Sequence, residues 1–517
     1  MNSAASPNKW LVTLTIMIPT FIEIMDMTVV NVSLNHIQGS LSAGLDEVTW
    51  VLTSYLVSNA IVIPMSGWLA SRIGRRRYLL LSVALFTSSS LLCGAATSLG
   101  MLVLFRVLQG IGGGGLQPLS QAILLETFPR EEHGTAMAVF GMGIVFAPIL
   151  GPILGGYITD NWSWRWIFYI NVPAGILSVI LVLLYIWDPP YLRNQVRKID
   201  YWGIGLLVVG IGSLQLVLDR GERLDWMAST FIRRMSFLSA SCLLLFVWQE
   251  LRTSAPVVDL RVFRDRSFAL GNVVMFSGFF AFFASLVLLP IYVQKLMGYT
   301  AWWAGWVLAP GGVASLVMMP LAARLLQKTD PRKLLFVGLA LNAYALHLMS
   351  RFNLDADFMS ILWPRVVQGF GLGFFFVPLS TVTVGRIPKE KMGNASAVFN
   401  LLRNLGGSFG VAVLTTQLAR RAQFHHHRLA ESFSPTYPPL QDALENLLPW
   451  MQGRFGAGSE AGLQKALGLL YAELNRQAFM KAFNDAFYLD VLFFLIPLPI
   501  AFLIRKADAP AGAPAPH

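Results

Sequence analysis

Charge is scarce in this chain. Only 13% of its 517 residues are Asp, Glu, Lys or Arg, against roughly 25% in ordinary soluble domains. That scarcity excludes a water-soluble globular protein, because too few charged side chains remain to cover its surface. Cysteine is rarer still. Cys93 and Cys242 are the only two; both fall inside apolar blocks, which suits packing residues and excludes a disulfide framework. The chain has no GxxxxGK[ST] loop, so ATP is not the energy source. It also has no nucleophile, metal cluster or cofactor loop. The reading is therefore of a non-enzyme with no catalytic residues, no metal and no cofactor. No small-residue cleavage site follows the first apolar block, which reads as a retained span.

What is present is hydrophobicity, 55% of residues with a mean hydropathy of +0.58. It arrives in blocks near the ~20 residues that cross a bilayer. Fourteen spans are expected, near 11–34, 49–70, 78–98, 102–125, 135–157, 164–187, 202–218, 235–249, 268–293, 302–323, 334–350, 360–384, 395–418 and 485–504. The seventh and eighth are short. The net charge of +11 does not point to nucleic acid, because the basic residues sit between apolar blocks. Loops at 71–77, 191–200, 250–267, 324–333 and 385–394 are basic, whereas 35–48 and 99–101 lack Lys and Arg. That asymmetry puts the first set, and both termini, in the cytoplasm. Arg220, Arg223, Arg233 and Arg234 are the exceptions.

One outside segment, 419–484, is much longer than the rest. It holds Pro435, Pro438 and Pro439, then apolar-periodic stretches near 440–451 and 461–483. Leu463, Ala466, Leu467, Leu470 and Leu474 take amphipathic helical spacing. It reads either as a flexible connector or as a periplasmic docking element.

The chain also repeats itself. Arg106-x-x-Gln109-Gly110 recurs as Arg365-x-x-Gln368-Gly369, and Pro118-Leu119-Ser120 as Pro378-Leu379-Ser380. Pro129-Arg130-Glu131 recurs as Pro388-Lys389-Glu390, all at an offset of 259–260 residues. Two homologous halves are expected. Six spans fill less than that offset, so two further helices must lie between the halves. The domains expected are 1–190 and 261–517, each a six-helix half, with a two-helix insertion at 191–260.

These residues resemble a known family. Gly67-Trp68-Leu69-Ala70-Ser71-Arg72-Ile73-Gly74-Arg75-Arg76 resembles the loop signature of the major facilitator superfamily, and Arg106-x-x-Gln109-Gly110-x-Gly112 its fourth-span signature. Gly151-Pro152-x-x-Gly155-Gly156 resembles the fifth-span signature of antiporters. Asp26-x-Thr28-Val29-Val30-Asn31-Val32 and Trp164-Arg165-Trp166-Ile167-Phe168, with Asn171 and Pro173, are similar to the fourteen-span drug:proton antiporter branch. The long segment before the last span resembles the EmrB type of that branch. The resemblance implies an all-α membrane protein with the major facilitator fold. It also implies a multi-pass location in a bacterial inner membrane, a periplasmic adaptor of the membrane-fusion type, and an outer-membrane channel. In the family the loop carrying Gly67, Arg72, Gly74 and Arg75 gates the halves through an acidic residue, which is Ser71 here. The Gly151, Pro152, Gly155 and Gly156 run of span five packs against the opposite half, and its counterpart in span thirteen reads Gly406-Gly407-x-x-Gly410.

Charges inside spans are the sharper signal, because each costs at least ~2.5–3.5 kcal/mol to insert. They are Glu23, Asp26, Arg106 and Arg365, with Arg403 and Asp490 as further candidates. Burial favours the neutral form of a carboxyl, and a nearby arginine favours the charged form. A carboxyl balanced between them can take up a proton and release it when its surroundings change. Asp26 is assigned as the main proton-binding group, Arg106 as the residue that tunes it, and Glu23 as a second site or a contact for cationic drugs. A structural Asp–Arg bridge is the alternative. The expected substrate cavity is lined by Phe276, Phe280, Asn59, Gln117, Gln121 and Asn400, since lipid would leave such polar groups unpaired. His425-His426-His427 is too short and exposed for a metal site.

The function expected is proton-driven export of hydrophobic or amphipathic compounds. Uptake by symport and a non-transporting receptor subunit are the alternatives.

Overall fold

A computed structural model describes residues 8–188, 199–431, 438–455 and 459–504. Its first half holds α1 (Lys9–Ser40), α2 (Trp50–Ile73), α3 (Arg75–Ala95), α4 (Leu99–Thr127), α5 (His133–Asn161) and α6 (Asn171–Tyr185). Between the halves lie α7 (Tyr201–Arg220) and α8 (Thr230–Arg252). The second half holds α9 (Arg266–Lys295), α10 (Ala301–Leu326), α11 (Pro331–Met349), α12 (Phe358–Val384), α13 (Met392–Ala430), α14 (Pro438–Phe455), α15 (Ser459–Leu495) and α16 (Pro497–Leu503). Among the described residues 13 helices are long and apolar enough to cross a membrane. The less apolar α11, 19 residues with Arg332, Lys333 and His347, completes the second half by packing between α12 and α15. The seventh and eighth spans, expected to be short, run to 20 and 23 residues.

Local chemistry sets the helix starts. Asp265 accepts from the Phe268 N–H at 2.8 Å to open α9, and Asp330 caps α11 with Pro331 at its first position. Both devices satisfy or remove donors that a helix N-terminus leaves unpaired. Outward faces stay apolar, as lipid requires: Ile176, Ile180 and Leu184 on α6 and Phe237, Leu244 and Trp248 on α8 are exposed.

In the first half α1 packs on α5 and α6, and α4 on α2 and α3. The second repeats the plan, with α9 on α13 and α15, and α12 on α10 and α11. The halves meet where α5 lies against α10 and α12, and α13 against α2 and α4. The α7–α8 hairpin leans on α2 and α13 from outside. Contact between the halves occurs at both ends of the bundle. A Cβ on Gly67 would lie 2.7 Å from the Gly393 backbone at the arginine-rich end, and one on Gly305 would lie 2.9 Å from Ile153 at the other.

The long segment at 419–484 departs most from a flexible connector. α13 has 39 residues and α15 has 37, so each runs about 55–60 Å at 1.5 Å per residue, far beyond a ~30 Å hydrocarbon core. The two stay paired outside it, with His425 bonded to Asp485 at 2.8 Å and Arg421 to the same carboxylate at 3.3 Å. The stretches expected near 440–451 and 461–483 are α14 and the first part of α15. No boundary occurs at 485: α15 continues into the last span and breaks only before Pro497, which has no N–H to extend the ladder. Pro435 lies outside the described residues.

Glycine decides how closely α13 approaches α9. A Cβ on Gly410 would sit 2.0 Å from the Phe280 carbonyl oxygen, whereas Gly205 on α7 has open space around it. Gly410→Ala is expected to cost about 1–3 kcal/mol through overpacking. Gly205→Ala should instead stabilise by roughly 0.5–1 kcal/mol. Unfolding of the detergent-purified variants checks both signs.

Candidate functional site

Two of the charges expected inside the spans, Asp26 and Arg106, meet between helices of the first half. Asp26 on α1 is 1% exposed and Arg106 on α4 is fully buried. Asp26 Oδ2 accepts from Arg106 Nη1 at 2.5 Å. Its Oδ1 accepts from Gln109 Nε2 at 3.0 Å and Asn171 Nδ2 at 2.8 Å. Arg106 spends its other donors on the Val51 carbonyl at 3.0 Å and Gln109 Oε1 at 2.8 Å, with its guanidinium 4.1 Å from the Tyr55 ring centroid. Four helices, α1, α2, α4 and α6, are tied together by this pair. A buried ion pair holds only when its remaining donors and lone pairs are also satisfied, and Gln109, Asn171 and Val51 do that here.

Glu23, one turn earlier on α1, is fully buried. Its Oε1 accepts from Asn59 at 3.0 Å and its Oε2 from Gln117 at 2.6 Å. Gln117 then accepts through its own oxygen from Arg403 of the opposite half. One glutamine side chain thus joins a carboxylate of the first half to a guanidinium of the second. Nearby, Asn400 donates to Gln121 at 2.5 Å, again across the halves. Asn59, Gln117, Gln121 and Asn400, expected to line a cavity, therefore form a closed polar seam in this conformation.

The α9 phenylalanines divide between two faces. Phe280 stacks on Phe493 at 3.7 Å and Phe276 lies against Phe409, so both face α13 and α15 of their own half. The inward face of α9 carries Phe279 and Phe282 instead. Phe279 lies 5.7 Å from the Arg403 guanidinium and 6.0 Å from Phe376, and Phe282 lies 5.9 Å from Arg365.

The α5 glycines also pack differently from the expectation. Cβ atoms on Gly151 and Gly155 would lie 1.9 Å and 2.9 Å from Thr28 and Val29 on α1, within the same half, and Gly156 is only loosely enclosed. The opposite half is met by Ile149 and Ile153, which face Gly312 and Gly305 of α10. Pro152 is half-buried beside them.

At the α2–α3 turn Gly74 adopts φ +89°, a conformation that favours glycine. Arg75 bonds Glu126 at the end of α4. Asp188, after α6, accepts from the Arg76 N–H at 2.9 Å and so caps α3. Ser71 donates to the Trp68 carbonyl at 2.8 Å, and Arg72 lies over the Trp68 ring. Acidic partners for this turn thus come from α4 and from beyond α6, while Ser71 turns back on its own helix.

Sequence reasoning missed Tyr55 and the linking role of Gln117. A tyrosine or glutamine inside an apolar block announces polarity but not its partner. Phe279 and Phe282 belong to the same aromatic run of the ninth span as Phe276 and Phe280, and the run does not say which of its rings turn inward. Asp490 is fully buried, as its place in the last span suggested, with neither carboxylate oxygen hydrogen-bonded. Among the described residues no group of three or more His, Cys, Asp and Glu could hold a metal.

Comparison with known proteins gives one consistent result. The Major Facilitator Superfamily profile matches residues 16–411. The chain is 37% identical over 504 residues to the multidrug export protein EmrB of Escherichia coli (strain K12), covering 97% of this chain and 96% of that one. It is 37% identical over 501 residues to the fatty acid resistance protein FarB of Neisseria gonorrhoeae, covering 96% of each. Among solved structures, the proton:xylose symporter XylE matches with a TM-score of 0.59 at 15% identity, covering 96% of each chain, a likeness of fold alone.

The central pair predicts a sharp non-additivity. Asp26→Ala strands a buried guanidinium and is expected to cost about 3–5 kcal/mol. Asp26→Ala combined with Arg106→Met should recover most of that loss in the same unfolding measurement. Equal losses in the single and double variants would exclude a coupled ion pair.

Proposed function

The chain belongs to the major facilitator superfamily, and from that premise we propose that it exchanges protons for hydrophobic or amphipathic compounds leaving the cell. It is a multi-pass membrane transporter of the multidrug-export kind, not an enzyme. The observation that carries the finer reading is the polar seam itself. Glu23 and Asp26 lie a turn apart in a dry interior, and the first is joined through Gln117 to Arg403 across the halves. Opening the halves must break that join. Carboxyl protonation and access to the cavity are then bound to one another, which is the requirement for coupled exchange.

Asp26 is assigned to proton coupling, with Arg106, Gln109 and Asn171 fixing its position. Glu23 is the carboxyl that registers contact with the second half. Once the seam opens, Phe279, Phe282 and Phe376 would present aromatic surface beside a few polar anchors, a lining that suits varied hydrophobic cargo. The names of the relatives, multidrug export and fatty acid resistance, agree with that breadth. Each proton moving inward supplies about 2.3 kcal/mol per 100 mV of membrane potential.

The excess of basic residues at the ends of α2–α3 and α12–α13 supports a reading in which that side, and both termini, face the cytoplasm of a bacterial inner membrane. The paired extensions of α13 and α15, with α14, then project into the periplasm. They offer a surface for an adaptor of the membrane-fusion type that continues to an outer-membrane channel.

Two measurements test the reading. In an efflux-deficient host the wild-type chain should lower dye accumulation until an uncoupler is added. Asp26→Asn and Glu23→Gln should be inserted at wild-type levels yet leave the host at least tenfold more drug-sensitive than wild type does. Normal resistance from Asp26→Asn rejects the coupling assignment. Deleting 438–455 should leave drug-triggered proton release by purified protein intact while removing resistance in cells with two membranes; retained resistance rejects the docking role.

A further inference from the structure

The duplicated halves keep the same arginine but not the same acid. In each, the glutamine three residues after the arginine donates to the first helix of its half: Gln109 to Asp26 at 3.0 Å, Gln368 to Ser285 at 2.9 Å. Asp26 and Ser285 are separated by the 259-residue repeat offset, as are Glu23 and Phe282. Where the first half has two carboxylates the second has phenylalanine and serine, beside the same cation.

Arg365 is 2% exposed. One of its nitrogens donates to Gln368, its Nε has no partner, and no acidic side chain among the described residues pairs with it. The guanidinium borders a narrow crevice between the halves, too tight in this conformation to admit a water molecule. Val145 and Ile149 of α5 form one wall; Phe282, Ser315, Gln368 and Leu372 form the other. In this closed conformation the crevice is too tight for a ligand, and because each wall belongs to a different half, parting the halves widens it.

We propose that Arg365 is a binding subsite for the carboxylate of an amphipathic monocarboxylic acid. The planar guanidinium suits bidentate contact with a carboxylate, Ser315 adds a hydroxyl to the crevice wall, and the aliphatic and aromatic walls take the hydrocarbon tail. The same site repels a cationic head group, so it divides cargo by charge. This assignment rests on the exporter reading, which places cargo between the halves.

The test uses the full chain in nanodiscs, titrated calorimetrically with decanoate and with decyltrimethylammonium, each corrected with empty discs. Arg365→Gln should weaken decanoate binding at least tenfold and leave decyltrimethylammonium within twofold. Ser285→Asp rebuilds the internal pair of the first half and should weaken decanoate equally, with no loss of melting temperature. Decanoate binding indifferent to both variants, or a parallel loss of both ligands, overturns the proposal. Dye export by the same variants separates the two readings. If export is intact and decanoate ignores Arg365, the subsite falls alone. If the wild-type chain exports nothing yet Arg365→Gln selectively loses decanoate, the exporter reading falls and the subsite stands.

Discussion

A charge in the apolar middle of a membrane protein has to be met by other charges or donors. Lipid offers neither, and each unmet ion costs several kcal/mol. The architecture follows from that constraint. Arg106 can sit on α4 because Asp26 faces it from α1, and the pair is tolerated because Gln109, Asn171 and the Val51 carbonyl consume what remains. Satisfying one ion pair fixes the relative positions of α1, α2, α4 and α6. Their small-residue contacts, such as Gly151 on Thr28, then bring the helices close without side-chain bulk between them.

The two halves solve the same constraint differently. Both carry an arginine and a glutamine at matching positions, and both place a glutamine amide against their first helix. In the first half the third member is an acid, so the cluster closes on itself. In the second it is Ser285, and the cluster stays open toward the interface. Arg403 is intermediate: its carboxylate, Glu23, belongs to the other half and is reached through Gln117. The two scaffolds match, and the half without the acids is the one whose arginine borders the seam.

Much of this was legible in the sequence because charges in apolar blocks are conspicuous. Glu23, Asp26, Arg106, Arg365, Arg403 and Asp490 stand out against their surroundings, and all six are buried. The repeat offset gave the six-two-six plan. The phase of α9 was not legible, because Phe276 to Phe283 is apolar except for Ser277, and one hydroxyl does not mark out a polar face. Phe276 and Phe280 therefore looked no different from Phe279 and Phe282. The extent of α15 was hidden for the opposite reason. Lys481, Asn484 and Asp485 look like a loop before a span, yet there Asp485 holds His425 and Arg421 of α13, so the polarity belongs to a helix pair outside the lipid.

On the proposed exchange mechanism, the seam at Gln117 makes chemistry and movement one variable. An amide has a donor end and an acceptor end. In this conformation it donates to Glu23 and accepts from Arg403, an orientation the two opposite charges impose. Its partners lie on different halves, so this bonding pattern exists only while the halves are together. Whatever alters the charge of Glu23 must alter the stability of the closed state, and by reciprocity closure must alter how readily Glu23 binds a proton. No moving part beyond the two rigid halves is required, because linkage arises wherever a titrating group in one body is hydrogen-bonded to a fixed charge in the other.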